Sequence, residues 1–288
     1  MYNFHDKIIN NPDKYRQFRC GESLITLFNC PLDTKFADLW SHHNYIVYVT
    51  EGRKIWHTAH GSYDLRPGSC ALVRKGACIV EQFFDSKFCI YLFFITDEFI
   101  CETLKAKAIP AAKQERKKYN PVIPISKTTT LDAFFISMSS YFAVATEPDR
   151  LLLELKFREL ILTIADNPQN AELLSYFCSL LNEPQSASLQ KVMEDNYRFN
   201  LKLEEFAQLC NRSLSAFKRD FQKQFDSTPG KWLQEKRLNH AMHLLSNMNT
   251  TVSEAAFESG FENPSHFSRS FKEHFGIAPT ATKQLQAN

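Results

Sequence analysis

The chain has 288 residues, 44% of them apolar and 23% charged, enough for a folded core and for two domains. Its 34 Lys and Arg against 32 Asp and Glu leave a formal net charge of +2, so any nucleic-acid affinity has to come from where the charge sits, not from its total. No apolar run approaches the roughly 20 residues needed to span a bilayer, and the opening Met1-Tyr-Asn-Phe-His-Asp has no basic stretch followed by an apolar one. A cytoplasmic protein with no membrane segment is expected. The eight cysteines are scattered singly with no C-x-x-C spacing, and read as small buried hydrophobes in a reducing compartment.

From Glu22 to about Ile95 the pattern is one of short strands. Tyr45 to Thr50 is a β-rich run closed by Glu51-Gly52, Arg53 to Thr58 alternates before a turn at His60-Gly61, and Ser62 to Leu65 leads into Pro67-Gly68. Cys70 to Val73, Ala77 to Val80 and Phe88 to Ile95 continue the series, and the whole predicts an antiparallel β-barrel or sandwich. After Phe99 the composition changes. Lys105 to Asn120 is basic and polar around Ala111 to Lys118, a solvated connection in the first place and a nucleic-acid contact in the second.

Leu131, Phe134, Phe135, Met138 and Phe142 recur at helical spacing, as do Leu151, Leu155, Leu160, Ile161 and Ile164, with Glu147-Pro148-Asp149 between; a third helix runs from Ala171 to Leu181. Asn182 to Ser188 is polar, contains a proline and reads as an interdomain linker, with a new helical period from near Leu189. The expected organisation is α+β: a β-barrel domain over 1–120, its helical part over 121–181, a linker over 182–188 and an all-α domain over 189–288. The small positive excess sits in that last part, which holds 13 Lys and Arg and 11 Asp and Glu, against 21 of each before it.

Within the all-α part the sequence repeats itself. Ser215 to Phe225 and Ser265 to Phe275 align at an offset of fifty residues, which keeps Phe217/Phe267, Arg219/Arg269, Phe221/Phe271, Phe225/Phe275 and Pro229/Pro279 in step. In each copy the phenylalanines fall at i, i+4 and i+8, one stripe of a helix, and the arginine points away from it. A second short helix precedes each copy, Leu203 to Cys210 before Asn211-Arg212 and Ser253 to Ser259 before Gly260-Phe261, so the order is helix, turn, helix, twice.

Ala256, Gly260-Phe261, Ser265, Phe267-Ser268-Arg269, Phe271-Lys272, Phe275-Gly276 and Pro279 closely resemble the second helix-turn-helix signature of AraC-type (AraC/XylS) bacterial transcription regulators. Ala207, Ser213, Phe217, Arg219, Phe221 and Pro229 resemble the first, and Trp232 to Leu245 with Arg237-Leu238 resembles the helix that joins them. The resemblance covers about the last third of the chain. Asp226 stands where a glycine commonly closes the first unit, and Thr282-Lys283 replaces the usual Tyr-Arg. Tyr63, Leu65, Pro67-Gly68 and Leu72 to Gly76 look like the turn-and-strand pattern of cupin barrels, the sensor domain of many such regulators. Enzymatic cupins hold a metal with two close histidines, an acid and a later histidine. Here His42 and His43 are adjacent, so on a strand they would face opposite ways, and Cys78 sits near the place of the later histidine. No metal, no cofactor and no catalytic residue are expected.

The resemblance implies double-stranded promoter DNA as partner, RNA polymerase as a second, and an effector that is either a small molecule or a protein. The outward positions that would meet DNA are Ser215, Lys218, Arg219 and Lys223 on the first helix and Ser265, His266, Ser268, Arg269 and Lys272 on the second. The arginines suit base edges, while Lys223, Lys272 and Lys231 suit phosphates. Trp40, Tyr48, Arg53, Trp56, His57 and Arg66, with Phe83, Phe84 and Phe88, either line an effector pocket in the barrel or belong to its packing. The helices after the barrel either carry a homodimer contact or pack on its open side. The expected function is an effector-responsive regulator, activators being commoner in the family resembled. The alternative is a cupin-type binding protein or enzyme with a helical interaction domain.

Overall fold

In a computed structural model, which describes residues 1–29, 34–84, 87–107, 119–182, 185–247 and 250–284, the chain divides between Glu183 and Pro184 into two units. The first opens with a two-residue strand, β1 (Tyr2–Asn3), and a short helix, α1 (Phe4–Ile9). The Asn3 side chain caps α1 by accepting from the Asp6 backbone N–H at 3.2 Å. There follow β2 (Gln17–Cys20), β3 (Ser23–Asn29), β4 (Phe36–Ser41), β5 (Asn44–Glu51), β6 (Lys54–Thr58), β7 (Gly61–Leu65), β8 (Cys70–Val73), β9 (Gly76–Gln82) and β10 (Cys89–Ile95), then α2 (Asp97–Ala106) and β11 (Val122–Pro124).

These strands make two sheets, ordered β1-β4-β9-β6-β7 and β11-β8-β5-β10-β3-β2, and not the closed barrel that strand counting suggests. β1 also pairs parallel with β4, Tyr2 against Leu39 and Asn3 against Trp40, in an otherwise antiparallel unit. The reason lies on the outer face of the six-stranded sheet. Along β5, Tyr45, Val47 and Val49 point into the layer between the sheets, while Ile46 and Tyr48 point the other way into a second apolar layer. β10 behaves alike, Ile90, Leu92 and Phe94 on one side and Tyr91, Phe93 and Ile95 on the other. A sheet that is apolar on both faces needs cover on both.

That cover is helical. α3 (Thr129–Ala143), α4 (Arg150–Asp166) and α5 (Ala171–Asn182) bring Phe134, Phe135, Met138, Phe157, Leu160, Ile161 and Phe177 onto the layer begun by α2 with Ile100 and Leu104. The side chains of Thr96, Thr128 and Asp149 cap α2, α3 and α4. The expected basic stretch 111–118 lies outside the described residues.

The second unit is all helix: α6 (Gln185–Asn196), α7 (Leu203–Leu209), α8 (Leu214–Phe225), α9 (Pro229–Asn247), α10 (Val252–Glu258), α11 (Pro264–Phe275) and α12 (Pro279–Gln284). α6 begins inside the segment read from sequence as linker, and α9 is longer at both ends than Trp232 to Leu245. At 19 residues it is roughly 28 Å long. Phe217, Phe221, Phe267 and Phe271, the stripes of the two repeats, are fully buried. Phe267 and Phe271 pack with Leu238, Ala241, Leu244 and Leu245 of α9 and with Ala255 and Ala256 of α10, while Phe221 and Phe225 meet Trp232 at ring distances of 6.0 and 6.1 Å.

Candidate DNA-binding surface

Each repeat is a short helix ended by the same turn and a second helix started by a side-chain cap. After α7, the Asn211 N–H reaches the Gln208 carbonyl at 2.9 Å and the Arg212 N–H the Ala207 carbonyl at 2.9 Å; after α10, the Gly260 N–H reaches Phe257 at 2.9 Å and the Phe261 N–H reaches Ala256 at 3.0 Å. This double bond pattern requires a left-handed residue just past the helix, supplied by Asn211 (φ 54°) and Gly260 (φ 85°). The two turns then differ by one residue. Ser213 caps α8, accepting from the Ala216 N–H at 3.3 Å, whereas Asn263 caps α11 one place later, accepting from Ser265 and His266 at 2.8 and 3.1 Å. The first helices therefore repeat at an offset of 49 and the second helices at fifty, Glu262 being the extra residue.

Burying the phenylalanine stripe turns the opposite side of α8 and α11 outward. Ser215, Lys218, Arg219 and Lys223 are exposed on α8, and Ser265, His266, Arg269 and Lys272 on α11. Ser268 is half-buried and its hydroxyl donates back to the Pro264 carbonyl at 2.9 Å, so it is less presented than its neighbours. The two arginines are not equally free. Arg219 Nε donates to Asp220 Oδ1 at 3.2 Å, and the other oxygen of Asp220 accepts from Arg212 Nε at 3.1 Å. The equivalent of Asp220 on α11 is Ser270, which is buried, and Arg269 has no ionic partner among the described residues. Lys231, at the start of α9, is exposed and 4.0 Å from Glu235.

The pieces are tied together by Arg237, which the joining-helix resemblance includes without giving it a role. Arg237 on α9 donates from Nε to the Tyr197 carbonyl at 2.7 Å and from Nη2 to the Phe199 carbonyl at 2.8 Å, satisfying the loop between α6 and α7. Arg198 in that loop donates to the Glu258 carbonyl at 3.1 Å, and Asn200 donates to Glu262. Gly260 sits so close to this loop that an added Cβ would lie 2.7 Å from the Arg198 carbonyl oxygen.

In the first unit the six effector candidates do not converge. Trp56 is buried between the sheets, its Nε1 donating to Tyr45 Oη at 3.2 Å. Tyr48 stacks on Phe135 at 4.0 Å on the far side of the six-stranded sheet. Arg53 and Arg66 both donate to Asp64 at 2.8 Å, and these bonds hold its carboxyl down at about 2, so both arginines are engaged with one carboxylate. His57 lies against Ser62 and Glu81 at 2.7 and 3.1 Å. Trp40 is buried, its ring 6.1 Å from that of His42. His42 and His43 are not on a strand: they form the turn between β4 and β5, so alternation does not part them, and their rings lie 4.0 Å apart. Burial lowers the pKa of both, that of His43 to about 3.

Residues 206–284 match the family model described as a helix-turn-helix domain, and residues 44–176 match the one described as the ExsA N-terminal regulatory domain. The chain thus carries an AraC-type helix-turn-helix domain after an ExsA-type regulatory domain, and its homologues VirF and ExsA are AraC-family regulators. It is 25% identical over 240 residues to the virulence regulon transcriptional activator VirF of Yersinia enterocolitica, a stretch that covers 83% of this chain and 88% of that protein. It is 28% identical over 241 residues to the HTH-type transcriptional regulator ExsA of Pseudomonas aeruginosa, covering 83% and 85%. The HTH-type regulator GbdR of Pseudomonas aeruginosa is 32% identical over 105 residues, covering 36% of this AraC-type chain and 29% of that one. No helix among the described residues is long and apolar enough to cross a membrane.

Proposed function

We propose that this AraC-type protein activates transcription by reading two successive major-groove segments of one promoter site, α8 in one and α11 in the next. The observation that carries this is the exposure of Arg219 and Arg269 at equivalent places on two helices whose opposite sides are buried at Phe217, Phe221, Phe267 and Phe271. Arginine can pair bidentately with guanine edges, and Ser215, Ser265 and His266 flank it on the same faces. Lys218, Lys223 and Lys272 meet phosphates, which set the register without reading sequence. Activation is the role that the printed name of VirF gives that relative, and contact with RNA polymerase is the route that the family resemblance implies.

The first unit regulates the second. Its effector is a small molecule or a protein, and the buried or paired state of Trp56, Arg53 and Arg66 supports a surface or a rearranged pocket over one lined by all six candidates. A homodimer forms through α3 and α4, where Ile136, Leu151 and Leu155 stay 71%, 71% and 62% exposed. Duplex binding by the full chain should weaken steeply with salt, and Lys272→Ala should lower affinity for all sequences alike and reduce the slope of log K against log salt by about 1. Binding insensitive to salt would remove the DNA-reading role.

A further inference from the structure

Parallel pairing of β1 with β4 lays the start of the chain beside the β4–β5 turn. Three histidines meet there: His5 from α1 and, far from it in sequence, the adjacent His42 and His43 from the turn. Their ring centroids are 5.1, 4.7 and 4.0 Å apart, and one nitrogen of each lies within 4.8 Å of the other two. His5 is buried, 4% exposed, yet its Nε2 has no hydrogen-bond partner among the described residues. A buried imidazole nitrogen left unpaired is costly unless something binds it. Its other nitrogen, Nδ1, is 3.5 Å from Asp6 Oδ1, the carboxylate–histidine arrangement that orients an imidazole for a metal.

The geometry points to a metal-binding site in which His5, His42 and His43 hold one divalent first-row transition ion, zinc foremost, and fasten the first helix to the sheet edge. Three imidazoles without a thiolate suit zinc, copper or nickel and not calcium or magnesium. Bonds of about 2.0–2.1 Å in a tetrahedral set need nitrogens roughly 3.3 Å apart, so the nitrogens close in by an ångström or so as the rings turn, and the fourth position stays open to water or a further ligand. His42 gives up one bond. Asn3 Nδ2 donates to its Nδ1 at 2.8 Å, and that contact is lost when His42 turns a lone pair to the ion. Asn3 keeps its capping bond to Asp6, so α1 is not undone.

The test uses tag-free, full-length protein stripped with chelator and titrated with Zn²⁺ against a chromophoric competitor, then with Co²⁺ under visible absorption. One equivalent should bind, with a cobalt spectrum of nitrogen and oxygen ligation, and raise the melting temperature. His42→Gln and His43→Gln, which change only partly buried side chains, should each weaken binding at least tenfold and together remove the thermal shift, with circular dichroism unchanged. His5→Gln should do the same where it folds. Absence of binding, a thiolate-to-cobalt charge-transfer band, or equal uptake by the wild type and the His42/His43 double variant would each overturn the site.

Discussion

At the level of single residues, the two arginines that the repeat makes equivalent are set apart by their neighbours. Arg219 is held at 3.2 Å by Asp220, whereas Ser270 takes that place beside Arg269. An exposed pair of this kind is worth up to about 1 kcal/mol. Arg269→Ala should therefore cost roughly 1–3 kcal/mol of specific affinity and Arg219→Ala less, measured by fluorescence anisotropy on one duplex at fixed salt. Equal losses, or the larger loss at Arg219, would show that Asp220 does not restrain its neighbour. Sequence alone marks both arginines through the phenylalanine stripe, because an i, i+4, i+8 pattern fixes which side of a helix is buried. The joining-helix resemblance includes Arg237 but not its partners, which are backbone carbonyls forty and thirty-eight residues away. Nor does sequence alone bring His5 to His42 and His43, since that meeting depends on a two-residue parallel strand too short to leave a pattern.

At the level of elements, the two long helices after the sheets and those of the repeat were legible, while α1, α2, α12 and the sheet closure were not. Periodicity marks α3, α4, α8 and α11 because each buries one stripe, and the structure starts them at the caps Thr128, Asp149, Ser213 and Asn263. Strand runs apolar on both faces, such as β5 and β10, do not declare what covers them, so a barrel and a helix-backed pair of sheets read alike. The turns give a sharper test. Gly260 combines a left-handed backbone with a carbonyl 2.7 Å from where a Cβ would stand, so Gly260→Ala should lower stability by about 1–3 kcal/mol in thermal or urea unfolding of the second unit. Asp226 closes α8 at φ 48° with a side chain, and Gly276 closes α11 at φ 76° without one. Asp226→Gly should raise stability by a few tenths to about 1 kcal/mol, strain relief outweighing the added freedom of the unfolded chain. Destabilisation there would mean that the aspartate makes a compensating bond.

At the level of the whole molecule, the proposed dimer contact and the proposed DNA-reading helices lie on different units. Leu151 and Leu155 are exposed on α4 while Leu153 and Phe157, on its other side, are buried, so the exposed pair can be changed without opening the core. Leu151→Glu with Leu155→Glu should shift the protein from dimer to monomer in sedimentation equilibrium, with the melting temperature nearly unchanged. A variant that stays dimeric would move the contact elsewhere. The account stands or falls, however, on two helices reading two places. Binding-site selection on the wild type, Arg219→Ala and Arg269→Ala, at one salt concentration, tests this most directly. Arg219→Ala should relax base preference in one half of the selected site and Arg269→Ala in the other, about one helical turn away. If both variants keep the wild-type preference across the whole site, α8 and α11 are not the readers.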